Sequence, residues 1–187
     1  MRAFLILHGW GNFRPAGHWQ RELAEALMSR GERVVYPQLP DTDAPTVDAW
    51  RAALDEAFSE AATDGARVIV ICHSLACMLW LGARPSEASV ERVMLVAPPS
   101  QSVLAGIPEI ASFAELNVVR PSADTRIVAS DADPYCPEGA TVAYGDPLDL
   151  PVTVIPGGGH LELTAGYGEW PSMFAWCLDP STVLVPR

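Results

Sequence analysis

Six short apolar runs, separated by longer stretches of helical periodicity, constrain this chain to a layered α/β architecture. The runs are Ala3–Leu7, Arg33–Tyr36, Arg67–Cys72, Val90–Val96, Thr125–Ala129 and Val152–Ile155. Several are apolar at successive positions, as strands covered on both faces must be. Helices are expected between them. His18 to Arg30 sets Leu23, Ala26, Leu27 and Arg30 at helical spacing ahead of Gly31 as a stop. Thr46 to Ala62 repeats the pattern through Val47, Trp50, Leu54, Ala57 and Phe58. Two more helices should begin near Ser74 and run from about Glu169 to Leu178, while Pro98 to Ser122 reads as a long connection with one short helix. The pattern predicts βα units around a parallel sheet, and the expected architecture is a doubly wound, three-layer fold of strand order 2-1-3-4-5-6 with right-handed crossovers, helices on both faces and the site above the carboxyl ends.

With 187 residues, no internal repeat and no linker, residues 1–187 are expected to form one domain. Nothing inserted is large enough for a lid. The last four residues, Leu184-Val185-Pro186-Arg187, read either as what remains of a thrombin site after tag cleavage or as a natural C-terminus of the same spelling, and are set aside from the functional argument. Charge narrows the partners. Against 23 acidic residues stand 12 basic ones, all arginine, for a net charge of -11. Such a body repels phosphates, so nucleic acid is not an expected partner. Without lysine, Schiff-base chemistry, a P-loop lysine and a Ser-Lys dyad are all excluded. Cys72, Cys77, Cys136 and Cys177 show neither CxxC pairing nor zinc spacing, which predicts reduced thiols and a cytoplasmic location. The Ala3–Leu7 run is too short for a signal peptide, and no run approaches the ~20 apolar residues of a membrane helix, so no membrane partner is expected.

Chemistry concentrates at the third apolar run. Val68 to Cys77 is a strand that turns through Ser74 into small and apolar helix residues, the layout of a nucleophile elbow. Strand and helix pass closely there, so the residues two before and two after the serine must be small; Cys72 and Ala76 hold those places where glycine is usual. The competing reading makes Ser74 the N-cap of the following helix. Later loops supply company. After the fifth run comes Asp131-Ala132-Asp133-Pro134, and after the sixth Gly157-Gly158-Gly159-His160, which gives the chain order Ser, Asp, His at carboxyl ends of strands. Asp133 is the preferred acid, because Pro134 restricts its backbone and Asp131 is close enough to the strand end to serve as a turn residue. An oxyanion hole would need two backbone NH groups, from Leu75 after the serine and from Trp10 in the His8-Gly9-Trp10-Gly11 turn. His8, Gly9, Phe13, Pro98 and Tyr135, with Trp10 and Pro99, are candidates for an apolar substrate pocket. His73 is expected to pack behind the site, and His18-Trp19 to anchor the first helix or line the way in. There is no HExxH and the four histidines are dispersed, so no metal and no cofactor is expected.

His8-Gly9-Trp10-Gly11, His18-Trp19, His73-Ser74-Leu75, Asp133-Pro134-Tyr135 and Gly159-His160-Leu161 together resemble the small serine hydrolases of the retinoblastoma-binding protein 9 and YdeN type, within the α/β-hydrolase superfamily. The likeness spans Met1 to Leu178. It implies a minimal α/β-hydrolase fold that lacks the first two antiparallel strands of larger members and has no lid domain. It also implies Ser74 as nucleophile, His160 as general base and Asp133 as orienting acid. The expected activity is carboxylesterase-like hydrolysis of a small ester or related acyl substrate through an acyl-enzyme, with short acyl chains preferred in the absence of a lid. Cys72 is the departure from the family pattern. A second class of function, a protein- or ligand-binding module on the same fold with catalysis lost, would be free to lose any of the three residues.

Overall fold

A computed structural model describes residues 1–187. In chain order the elements are β1 (Arg2–Leu7), α1 (Trp19–Ser29), β2 (Arg33–Val35), α2 (Val47–Ala61), β3 (Arg67–His73), α3 (Leu75–Ala83), β4 (Val90–Val96), α4 (Gln101–Ala105), β5 (Asp124–Ser130), α5 (Asp146–Leu148), β6 (Val152–Ile155) and α6 (Pro171–Leu178). All strand pairings are parallel, in one six-stranded sheet of order β2-β1-β3-β4-β5-β6. The order reverses direction at β1 and β3, and the loops after these strands meet at the carboxyl edge, where such sheets bind ligands.

Alternation along the central strands sends side chains into two separate cores. Leu5 and Leu7, Val68, Val70 and Cys72, and Val93 and Leu95 face α2 and α3, whose Trp50, Leu54, Phe58 and Trp80 complete that layer. Phe4 and Ile6, Ile69 and Ile71, and Met94 and Val96 face α1 and α6 through Trp19, Leu23, Leu27, Met173 and Trp176. These are the two apolar faces that the continuous runs call for. Helix starts follow local chemistry. The His18 side chain accepts from the Gln20 NH at the start of α1, and the Thr46 hydroxyl caps α2 through the Ala49 NH.

Some boundaries differ from the sequence expectation. α6 begins at Pro171 rather than near Glu169, because proline favours the first helical position, where its missing NH is not needed. The connection after β4 holds α4 and a 3-10 turn at Ala111–Glu115, and it buries Leu104, Ile110 and Phe113. A π turn at Thr141–Gly145 running into α5 has no counterpart in the periodicity reading. The C-terminal residues set aside above contact the body: Leu184 is buried, and the Val185 carbonyl accepts from the Trp170 indole NH. No helix is long and apolar enough to cross a membrane.

Candidate active site

Ser74 sits between β3 and α3 with φ 55° and ψ -126°. A non-glycine residue in this region stores strain of about 1–3 kcal/mol, which the surroundings must hold in place. Here they do so with the Ser74 NH donating to the Val96 carbonyl at 2.9 Å and the Cys77 NH donating to the Ser74 carbonyl at 2.8 Å. Although Ser74 occupies the N-cap position of α3, its hydroxyl makes no capping hydrogen bond. It lies instead 2.8 Å from His160 Nε2. The capping reading therefore loses its physical basis, since the oxygen it requires is engaged elsewhere.

His160 is carried by the loop after β6, where Gly159 takes φ 56°, a conformation side chains resist. Its Nδ1 lies 2.9 Å from both carboxylate oxygens of Asp133, and a carboxylate only accepts, so Nδ1–H donates and Nε2 presents its lone pair to the serine. Asp133 is itself buried and accepts the Tyr135 NH at 2.9 Å. The two aspartates of the β5 loop are thus separated by environment: exposed Asp131 accepts the Gly157 NH at 2.7 Å and ties down the loop that delivers His160. His73 packs behind, its ring centroid 5.1 Å from that of His160, and its Nε2–H donates to the His160 carbonyl at 3.0 Å. Burial holds its pKa well below the usual histidine value.

On the other side of Ser74 lies the β1 loop. An added Cβ on Gly9 would come 2.7 Å from Ser74 Cβ and 3.1 Å from its Oγ, so only glycine fits. His8 has its Nδ1 2.9 Å from the Gly9 carbonyl oxygen, to which it donates, and its Nε2 accepts the Leu39 NH at 2.9 Å. Because C=O and N–H of a planar trans peptide point in opposite directions, fixing the Gly9 carbonyl also fixes the Trp10 NH. That NH has no acceptor within the protein. The Leu75 NH, first in its helix, has no carbonyl one turn earlier to accept it.

A cavity of about 320 Å³ opens above these groups. Gly9, Phe13 and Tyr135 line it, as do Trp10, Ser74, Leu75 and His160. Two sequence candidates lie outside the lining. His8 is fully buried against the edge of Trp50 and committed to Leu39, a contact between loops about thirty residues apart. Pro98 is buried and its place is taken by Pro99, because Ala97 with φ 49° turns the chain as it leaves β4. The periodicity reading also missed Asn12, Leu104, Ile110 and Glu162 in the lining. No group of three or more His, Cys, Asp or Glu side chains is placed to hold a metal. All four thiols are buried, and desolvation raises their pKa values, Cys136 and Cys177 to about 12, which removes thiolate nucleophiles at neutral pH.

Sheet order, crossovers and a strained turn at the end of β3 define an α/β-hydrolase fold. The chain belongs to the family described as serine hydrolase, whose model matches residues 4–177. Among solved structures it is similar to the ydeN gene product of B. subtilis, with TM-score 0.77 and 19% identity over 96% of this chain and 98% of that one. A yden-like hydrolase from Pectobacterium atrosepticum aligns with TM-score 0.72 and 20% identity over 93% and 88% of the two chains. Est1E from Butyrivibrio proteoclasticus aligns with TM-score 0.67 and 15% identity over 95% and 87%. At such identities the likeness speaks for the fold. No curated protein matches the chain.

Proposed function

We propose that this serine hydrolase cleaves small esters or related acyl substrates with Ser74 as nucleophile, His160 as general base and Asp133 as the group that orients it. The observation that carries the reading is the unbroken relay from Ser74 Oγ to His160 Nε2 at 2.8 Å and from His160 Nδ1 to Asp133 at 2.9 Å. As Oγ bonds to the acyl carbon, its proton passes to Nε2, and the imidazolium formed is stabilised by the buried carboxylate. The carbonyl oxygen gains negative charge between the Trp10 and Leu75 NH groups, each contributing about 3 kcal/mol to lowering the barrier. His160 then gives the proton to the leaving atom, the alcohol departs, and the acyl group stays on Ser74. Water repeats the sequence with His160 as base and releases the acid.

The cavity's volume and its Trp10, Pro99, Leu104 and Ile110 walls favour short apolar acyl groups. Four unpaired, buried thiols fit a reducing, cytoplasmic compartment. The test is labelling with a fluorophosphonate probe, followed by turnover of p-nitrophenyl esters of increasing chain length. The folded wild-type protein should label and prefer the short esters, and Ser74→Ala should do neither. Folded wild-type protein that fails to label would overturn the proposal in favour of a binding module.

A further inference from the structure

Glu162 stands two residues beyond His160, lines the same cavity, and makes no ion pair. The hydrogen-bond partner of its carboxylate in the cavity is the Thr164 hydroxyl at 2.7 Å. No arginine lines the cavity, and the chain has no lysine. Two of the lining histidines are neutral near pH 7, because burial lowers His18 to about 4 and holds His73 well below its usual value. Glu162 is the one Asp, Glu, Lys or Arg side chain in the lining. The molecule around it has net charge -11, so its wider field has the same sign.

Direction follows from the proton's path. His160 must hand its proton to the leaving atom, so the departing group lies on the His160 side of Ser74, and the chain runs from there through Leu161 directly to Glu162 and Thr164. Tyr135 stands on that side, its ring centroid 4.5 Å from that of His160, and Phe13, 63% exposed, closes the rim from the β1 loop opposite. A carboxylate in a cavity with aromatic walls is suited to a cation, quaternary ammonium included.

We infer that Glu162 selects esters and thioesters whose leaving group carries an ammonium, a substrate class that rests on the Ser74, His160 and Asp133 reading given above. In each turnover the bond from acyl carbon to the leaving oxygen or sulfur breaks, the leaving atom takes the proton from His160, and the ammonium departs with its charge unchanged. Anionic leaving groups are repelled by the same carboxylate.

The experiment compares three butyryl thioesters of similar shape: thiocholine (cationic), neohexyl thiol (neutral) and mercaptoethanesulfonate (anionic). Thiol release is followed in the wild type, Glu162→Gln and Glu162→Asp. The wild type should show kcat/KM about tenfold higher for the cation than for the neutral thioester, and lower again for the anion. Glu162→Gln should bring the cation-to-neutral ratio close to one, and Glu162→Asp should keep part of it. In the wild type alone, raising ionic strength should shrink the ratio. Equal turnover of the three thioesters by the wild type, or an unchanged ratio in Glu162→Gln, overturns the role of Glu162 while leaving the hydrolase reading in place. Absence of fluorophosphonate labelling in the folded wild type overturns both.

Discussion

Asp131 and Asp133 stand two residues apart and do different work. Asp133 is buried against His160 Nδ1, whereas Asp131 is exposed and holds the Gly157 NH of the loop behind it. Asp133→Asn offers Nδ1 an amide that can present its own NH₂, which favours the wrong imidazole tautomer; kcat should fall by about ten-thousand-fold with the fold intact. Asp131→Asn keeps an acceptor for Gly157 and should cost less than about tenfold. Steady-state kinetics of the two variants on one ester checks the assignment, and equal losses would reverse it. Gly9→Ala makes a sharper case, since its methyl would press on both Cβ and Oγ of Ser74. The variant should fold, with an unchanged far-ultraviolet spectrum, yet lose fluorophosphonate labelling. Chain order and the placement of Ser74, Asp133 and His160 at carboxyl ends of strands were legible because both depend on local pattern. The orientation of His8 toward Leu39 was not, because that contact forms between loops joined only by the folded sheet.

At the scale of elements, the β3–α3 turn asks whether Cys72 spoils a position where glycine is usual. It does not: Cys72 is fully buried, lies in register with Leu7 and Leu95, and its carbonyl accepts the Cys77 thiol at 3.5 Å. A side chain is tolerated because it packs among the buried apolar residues of the α2/α3 core. Cys72→Gly should therefore bring no gain in activity. It should lower stability by about 1–3 kcal/mol through the lost packing and the greater freedom of the unfolded backbone, as a denaturant midpoint would report. The six strands were readable because their apolar runs are continuous and flanked by turn residues. The π turn and α5 were not, since Thr141 to Leu148 has too little helical repeat, and what places it is Gly145 tucked beneath Val152, where an added Cβ would lie 2.6 Å from Val152 Cγ2. A similar limit applies after β4, where Phe113 is buried against Trp50 at 5.3 Å although its surroundings look polar in sequence.

For the whole molecule, the buried imidazoles link the geometry of the site to the pH range in which the fold survives. His8 and His18 are pushed down to about 4 and His73 well below its usual value, in each case first by desolvation. In the folded state all three are neutral at pH values where the unfolded chain, with histidines near 6.5, already binds protons. Unfolding therefore takes up protons between about pH 6.5 and about pH 4. The sign is fixed: stability contributed by these groups is fully present above the unfolded value and is lost as pH falls toward the folded ones. The carboxylates with lowered values, Glu32, Glu87 and Asp179, act only below their own usual range, so the upper part of the window belongs to the histidines. Relief of repulsion among the excess acids works in the opposite direction but is spread over the surface and screened by salt. With three groups, the unfolding free energy should fall by roughly 4 kcal/mol per pH unit near about pH 5, corresponding to an uptake of about three protons. Denaturant titrations across this range at fixed, moderate salt give the slope directly, and a curve that stays flat from neutrality to about pH 5 would mean that the three imidazoles are not buried neutral as described.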